Sequence, residues 1–306
     1  MLFHAEGQWR ALQPWICAHD FARMNYRHAF HAGNFADVIK HAVLVRILEH
    51  LRRKPAPFRV IDTHAGAGRY DLGAEEAKRG GEWREGIGRL LGARIAAPAR
   101  ALLAPYLDAV AACNGPGALT AYPGSPVLAR AFLRAQDRLI ACELEPSAAA
   151  ALARNLAGDR RSKAVTIDGW TALNAYVPPK ERRGLVLVDP AYEQAEDFAR
   201  LAQALAAAHG KWASGTYLVW YPIKERTAPD ALARRLRTSG MAKMLRAELS
   251  LGAAREPGRL AACGLIVINP PWTLAGELAT MLPELAAVLS GASGGAHRLD
   301  WLAGES

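Results

Sequence analysis

Between residues 34 and 54, in NFADVIKHAVLVRILEHLRRK, apolar side chains recur at helical spacing. Val38, Ile39, Ala42, Val43, Ile47, Leu48 and Leu51 carry the repeat, Asn34 stands where an N-cap belongs, and a basic tail closes the segment. The pattern predicts a helix with both ends marked. FRVIDTHAGAGRYDLG (58–73) is different: a short apolar run opening into a glycine-bearing turn, the pattern of a strand, a loop and the start of a helix. From 74 to 118 the texture changes again, charged around Trp83 and then rich in Ala and Pro at helical spacing (APARALLAPYLDAVAA), which predicts a small helical insertion. Beyond it, RLIACELEPS (138–147), AVTIDGW (164–170), GLVLVDPAY (184–192) and GTYLVWYP (215–222) predict strands. Helical segments such as AAAALARNLA, FARLAQALAAAHG and APDALARRLRTSG fall between them, and LRAELSL with GLIVINPPW (264–272) closes the pattern as a hairpin pair. The chain therefore predicts an α/β fold with a mostly parallel seven-stranded sheet covered on both faces. Ligands of such sheets bind at the carboxyl ends of the strands.

Composition narrows the setting. A chain of 306 residues, 51% of them apolar, has ample material for a core. No apolar run is long enough to span a bilayer, and MLFHAEGQWRALQPWICAHDFAR lacks the basic and apolar regions of a secretory signal. Cys17, Cys113, Cys142 and Cys263 are scattered without a CxxC pair, which fits neither a disulfide framework nor a zinc ribbon and favours a reducing cytoplasm. The 38 basic residues against 29 acidic ones give +9, which makes a polyanionic partner plausible.

Candidate chemistry gathers where the strands end. The first strand delivers Asp62-Thr63-His64-Ala65-Gly66-Ala67-Gly68, a loop whose glycines permit a tight turn and close approach of a ligand. Its spacing is not G-x-G-x-x-G, which disfavours a nicotinamide-dependent oxidoreductase. Glu143 ends the second strand, a place where an acid accepts hydrogen bonds from ribose hydroxyls. Asp168-Gly169 ends the third, positioned to meet an adenine amino group, and Asp189-Pro190-Ala191-Tyr192 ends the fourth. Asp-Pro alone is ordinary strand punctuation; four acids on four successive strand ends are not. Asn269-Pro270-Pro271-Trp272 has similar residue types but follows the last strand, and reads as a structural turn.

This constellation resembles the Rossmann-like class I S-adenosylmethionine-dependent methyltransferases, and the fourth element looks like their amino-methylating [DNS]-P-P-[YFW] signature. The chemistry explains the residue types. An exocyclic adenine amine is a poor nucleophile because its lone pair is delocalised into the ring. A carboxylate and the next carbonyl accept its hydrogens and aim that lone pair, and an aromatic ring stacks on the unstacked base. NYRHAFHAGNFADVIKHAVL (25–44), DTHAGAGRYDL, YPGSPVLARAFLRAQD, ELEPS, RRGLVLVDPAYE, WYPI and GLIVINPPW together resemble a narrower family over residues 24–303: the bacterial RlmJ-type enzymes that make N6-methyladenine in 23S ribosomal RNA at the A2030-type site.

The resemblance implies S-adenosylmethionine as cofactor, with contacts from His41, His64, Ser125, Glu143, Asp168, Gly169 and Asp189; Lys40 and Gly66 adjoin this set. Asp189, Pro190 and Tyr192 are the implied catalytic element. Tyr26, with Arg27 and His28 beside it, is implied to touch the RNA, as is the Tyr192 ring. It also implies a methyltransferase domain from 24–73 and 119–306 with a small inserted helical subdomain at 74–118. Residues 1–23 precede the pattern and are expected to be a non-native or poorly packed extension, with Met24 as the start. The sequence departs from the family at Ala191, where Pro is usual, which predicts a looser loop. A cytoplasmic monomer acting on protein-free or early-assembly 23S RNA is expected, without a metal. Two other readings stay open, a DNA adenine N6-methyltransferase and a non-catalytic RNA-binding or assembly protein on the same scaffold. From the residues alone, His28, His31 and His41 carry a metal-like spacing without an accompanying cluster, Ser125 is a turn residue, and Lys40 and His41 lie on a solvated helix face.

Overall fold

Asn34 starts the first helix, α1 (Phe35–Arg52), by accepting the backbone N–H groups of Ala36 and Asp37 on its side-chain oxygen. In the computed structural model, which describes residues 28–115, 117–252 and 259–304, α1 is buried almost all round. A helix in that position must be apolar on every side or pair its polar groups internally. Lys40 and His41, only 4% and 1% exposed, are therefore not on a solvated face.

The chain continues through β1 (Arg59–Asp62) and β2 (Arg69–Asp71) into α2 (Glu75–Gly80), a wide π-helical turn at Arg84–Gly88, α3 (Arg89–Gly92) and α4 (Ala97–Ala112). It returns through β3 (Ala121–Pro123), which pairs antiparallel with β2, so that this two-stranded ribbon brackets the helices between them. Leu103, Tyr106 and Val110 of α4 join the same apolar cluster as α1. There follow α5 (Ser125–Ala131), β4 (Arg138–Glu143), α6 (Pro146–Leu156), β5 (Ser162–Thr166), α7 (Gly169–Ala175), β6 (Gly184–Val188), α8 (Asp197–Lys211), β7 (Thr216–Pro222), α9 (Thr227–Arg237), β8 (Met244–Ser250), β9 (Ala262–Ile268), α10 (Leu274–Ser290) and β10 (Ala296–Ala303).

The main sheet runs β10-β8-β9-β7-β6-β1-β4-β5. It has eight strands, one more than the seven expected. The additional one is β10, an edge strand that pairs antiparallel with β8 and buries little beyond Leu302, so its hydrophobic signal is faint. Pairing is parallel from β5 through β4, β1 and β6 to β7, and antiparallel from β7 to β10. In the parallel half, β1 lies between β4 and β6, and β4 and β6 connect outward in opposite directions. A crevice forms at such a switch point, beyond the carboxyl ends of the strands.

Candidate active site

That crevice is a cleft of about 680 Å³ at the ends of β1, β4 and β6. Lys40 and His41 line it from α1, His64 and Gly66 from the loop after β1, Ser125 from the start of α5, and Glu143 from the end of β4. Asp189, Pro190 and Ala191 line it from the end of β6, and His28 and Tyr70 also reach its wall. A second recess, between Asn34, Glu82, Arg89 and Arg259, holds only about 60 Å³, too little for a nucleoside.

A buried row of charges runs along one wall. Lys40 Nζ donates to Asp189 Oδ2 at 2.5 Å and lies 2.8 Å from Asp37 Oδ1. Asp37 in turn accepts the Gly33 N–H at 2.9 Å and lies 3.0 Å from His28 Nε2. Burial alone would lower the Lys40 pKa, but Asp189 and Asp37 outweigh it and hold the ammonium well above its ordinary value. For Asp37, burial would raise the pKa, and the neighbouring His28 and Lys40 side chains reverse this and hold the carboxyl well below its ordinary value. Lys40 thus stands as a fixed cation between two carboxylates, one of them at the cleft floor.

The glycine loop is built against the opposite wall. Glu143 accepts the backbone N–H groups of Gly66, Leu144 and Glu145 at 2.8, 2.8 and 2.9 Å, tying the end of β4 to the loop after β1. Burial raises its pKa. Gly66 has φ +60°, and a Cβ there would lie 2.2 Å from the Tyr70 hydroxyl, so the residue must be glycine. Beneath the loop, Ser125 Oγ donates to Asp62 Oδ2 at 2.7 Å, and burial pushes the Asp62 carboxyl up to about 7. His64 is held by Thr63 Oγ1 at 2.8 Å and meets Trp170 edge-on, and burial pulls its pKa down to about 4. His41 Nδ1 lies 2.7 Å from the Tyr122 hydroxyl, which lies 2.9 Å from that of Tyr106. Burial lowers the His41 pKa to about 3, and its Nε2 has no hydrogen-bond partner among the described residues.

Of the residues singled out in the sequence, Lys40, His41, His64, Gly66, Ser125, Glu143, Asp189, Pro190 and His28 are brought round this one cleft. Asp168 and Gly169 sit just behind it. Asp168 caps α7 by accepting from Thr171, and Gly169 packs on His64. Tyr192 is also outside the lining. Its hydroxyl donates to the Trp220 carbonyl at 2.6 Å and its ring packs on Phe198 and Trp220. Its φ of +53° puts a bulky residue in the left-handed region, so this turn carries strain that those contacts hold in place. Tyr26, Arg27 and residues 1–23 lie outside the described residues. His28 and His31 pair with Asp37 and Glu82 rather than converging on a common point. Asn269-Pro270-Pro271-Trp272 follows an antiparallel strand whose end lies beside the start of β7, on the far side of the sheet from the cleft. There Asn269 donates to the carbonyls of Ala213 and Gly215.

The sequence did not point to Asp37, Tyr70, Tyr106 or Tyr122. Each acquires its place only through packing between elements, and a polar residue within a helical repeat (Asp37, Tyr106) or on a three-residue strand (Tyr70, Tyr122) carries no local signal of that.

The family model described as RsmJ, ribosomal RNA large subunit methyltransferase D, RlmJ, matches residues 55–303. A ribosomal RNA large subunit methyltransferase J of Escherichia coli (strain K12) is 41% identical over 282 residues, covering 92% of this chain and 100% of that protein. The protein of the same description in Haemophilus influenzae is 38% identical over 283 residues, again covering 92% and 100%. Among solved structures, a Legionella pneumophila protein superposes at a TM-score of 0.80 and 34% identity, covering 89% of this chain and 98% of that one.

Proposed function

The chain belongs to the RlmJ family of ribosomal RNA large subunit methyltransferases, and from that premise we propose that its cleft transfers a methyl group from S-adenosylmethionine to the N6 amine of one adenine, the A2030-type site of 23S ribosomal RNA. The observation that carries this reading is Asp189. It closes β6 at the cleft floor, Lys40 occupies its Oδ2, and its Oδ1 has no hydrogen bond among the described residues. A carboxylate oxygen held at a strand end can accept one hydrogen of an exocyclic amine and direct the lone pair. The fixed Lys40 cation keeps that carboxylate from rotating away, and Pro190 and Ala191 form the adjoining lip.

The cleft suits the cofactor. Its volume of about 680 Å³ is in the range of small-molecule sites. In this reading Glu143 takes ribose hydroxyls, Gly66 and Ser125 flank the amino-acid end, and His41 Nε2, which has no hydrogen-bond partner among the described residues, offers a further polar contact. Asp168 and Gly169, behind His64 and outside the lining, are read as the base-binding end. When bound, S-adenosylmethionine supplies an electrophilic methyl group on its sulfonium, so these side chains have only to bind, orient and exclude water. Tyr26, Arg27 and His28 complete the reading as RNA contacts, with the adenine drawn out of its stack; the Tyr192 ring would swing or be approached from its exposed side. We read the enzyme as a cytoplasmic monomer acting on protein-free or early-assembly RNA. No described helix is long and apolar enough to cross a membrane, and among the described residues the large exposed apolar side chains, Leu91, Trp272 and Trp301, are few.

The test is methyl transfer from labelled S-adenosylmethionine to protein-free 23S RNA, assembled large subunits and duplex DNA in parallel, with the product nucleoside identified by mass. N6-methyladenine at one position of the free RNA is expected. Transfer to duplex DNA alone would favour the DNA enzyme, and cofactor binding without transfer to any substrate would favour a non-catalytic scaffold.

A further inference from the structure

His41, Tyr122 and Tyr106 form a buried chain from the cleft wall into α4. The spacings are 2.7 Å from His41 Nδ1 to the Tyr122 hydroxyl and 2.9 Å from there to the Tyr106 hydroxyl. All three residues are at most 1% exposed. Two hydroxyl protons and one ring proton must be placed in this chain, and only one arrangement gives each hydroxyl proton an acceptor. Tyr106 donates to Tyr122, and Tyr122 donates to His41 Nδ1. If Nδ1 carried the proton instead, one of the two tyrosine O–H groups would be buried without an acceptor, the costly case for a polar group. With Nδ1 accepting, the proton of a neutral ring sits on Nε2. His41 is neutral, since burial lowers its pKa to about 3. A second observation agrees: Nε2 lies 3.9 Å from Asp37 Oδ1, too far for a hydrogen bond but close enough that an N–H there is attracted and a lone pair repelled.

His41 lines the cleft, and its Nε2 is a buried donor with no partner among the described residues. The remaining question is what accepts from it. Resting on the methyl-transfer reading above, the cofactor offers hydroxyls, ring nitrogens and one group that only accepts, its α-carboxylate. Glu143, itself an acceptor, calls for the hydroxyls, and Asp168, outside the cleft lining, is assigned in that reading to the adenine amine. We propose that Tyr106 and Tyr122 are positioning residues that fix His41 as an Nε2–H donor to the carboxylate of the bound cofactor. The helical segment between β2 and β3 thereby contributes to cofactor binding without touching the cofactor, since its Tyr106 hydroxyl sets the direction of the chain.

Imidazole nitrogen NMR of the uniformly 15N-labelled wild type, without ligand, reads the tautomer directly. The proton is expected on Nε2 of His41, and a proton on Nδ1 would overturn the proposal without any variant being made. Calorimetric affinities for S-adenosylhomocysteine and 5′-methylthioadenosine, which lacks the amino-acid end, then test the partner. Tyr122→Phe should weaken S-adenosylhomocysteine binding about fivefold to tenfold, the scale of a disturbed hydrogen bond to a charged group, and leave methylthioadenosine within about twofold. Tyr106→Phe, which removes only the outer hydroxyl, should give a smaller loss with the same selectivity. Equal losses for both compounds would mean a merely structural role and overturn the inference alone. A wild type that binds neither compound would overturn the methyl-transfer reading itself, and the inference with it.

Discussion

Gly169 has no side chain because His64 occupies the space one would need: a Cβ there would lie 2.4 Å from His64 Nε2 and from the Thr63 carbonyl oxygen. Gly169→Ala is therefore expected to push His64 into the cleft, lowering stability by about 1–3 kcal/mol and weakening S-adenosylhomocysteine binding, as measured by denaturant titration and calorimetry. Asp62 makes a pH-dependent prediction. Its carboxyl sits near 7 in the fold because of burial, above the ordinary 3.8, so the native state binds the proton more tightly than the unfolded chain. The stabilisation from that proton is complete below the ordinary value and is lost as pH rises through about 7. Asp62→Asn removes the loss, so its stability advantage over the wild type should grow by up to about 1.4 kcal/mol per pH unit between pH 4 and 7 and then level off. A flat difference in urea midpoints across that window would contradict the assignment. At this scale Glu143 and Asp189 were legible in the sequence, because an acid just after a short apolar run marks a strand end, whereas Ser125, at the start of α5, read from the residues alone as a turn residue and entered only through the family resemblance. Asp37, inside a helical repeat, was not; only the approach of Lys40 and His28 gives it a role.

Elements depend on a few junction residues. Asn34 Oδ1 caps α1, and its amide donates to Glu82 Oε2 at 2.9 Å, joining the helix start to the turn before α3. Asn34→Ala should cost about 1 kcal/mol or somewhat more in thermal or chemical unfolding, since it removes the cap and a buried donor together. At the other end of α1, Arg134 donates to the Lys54 and Ala56 carbonyls and Arg183 to those of Leu51 and Ala56, so two arginines satisfy the carbonyls of the helix exit. The N-cap of α1 and the central strands could be read from the chain because capping chemistry and continuous apolar runs are local. The ribbon of β2 and β3 and the edge strand β10 could not. The first two are three residues each, and β10 alternates too weakly, with only Leu302 buried, to announce a strand.

The whole molecule shares its core across the boundary that the sequence texture suggests. Leu103, Tyr106 and Val110 of α4 sit in one cluster with Ile47 and Leu48 of α1 and Leu278, Met281 and Leu282 of α10. Replacing 75–112 by a short linker would expose this side of α1, and the shortened chain is expected to lose cooperative unfolding in circular dichroism. A sharp two-state transition in that deletion would contradict the shared core. The same packing brings Lys40 to Asp189, residues far apart in the chain, and that pairing is central to the functional account. The most direct test is single-turnover methyl transfer to 23S RNA by wild type and Asp189→Asn, with the S-adenosylhomocysteine dissociation constant measured on the same preparations. The account predicts a rate loss of roughly a hundredfold or more, the scale of removing a general acid–base or orienting group, while the dissociation constant changes by less than about tenfold. Transfer at the wild-type rate by Asp189→Asn would contradict it.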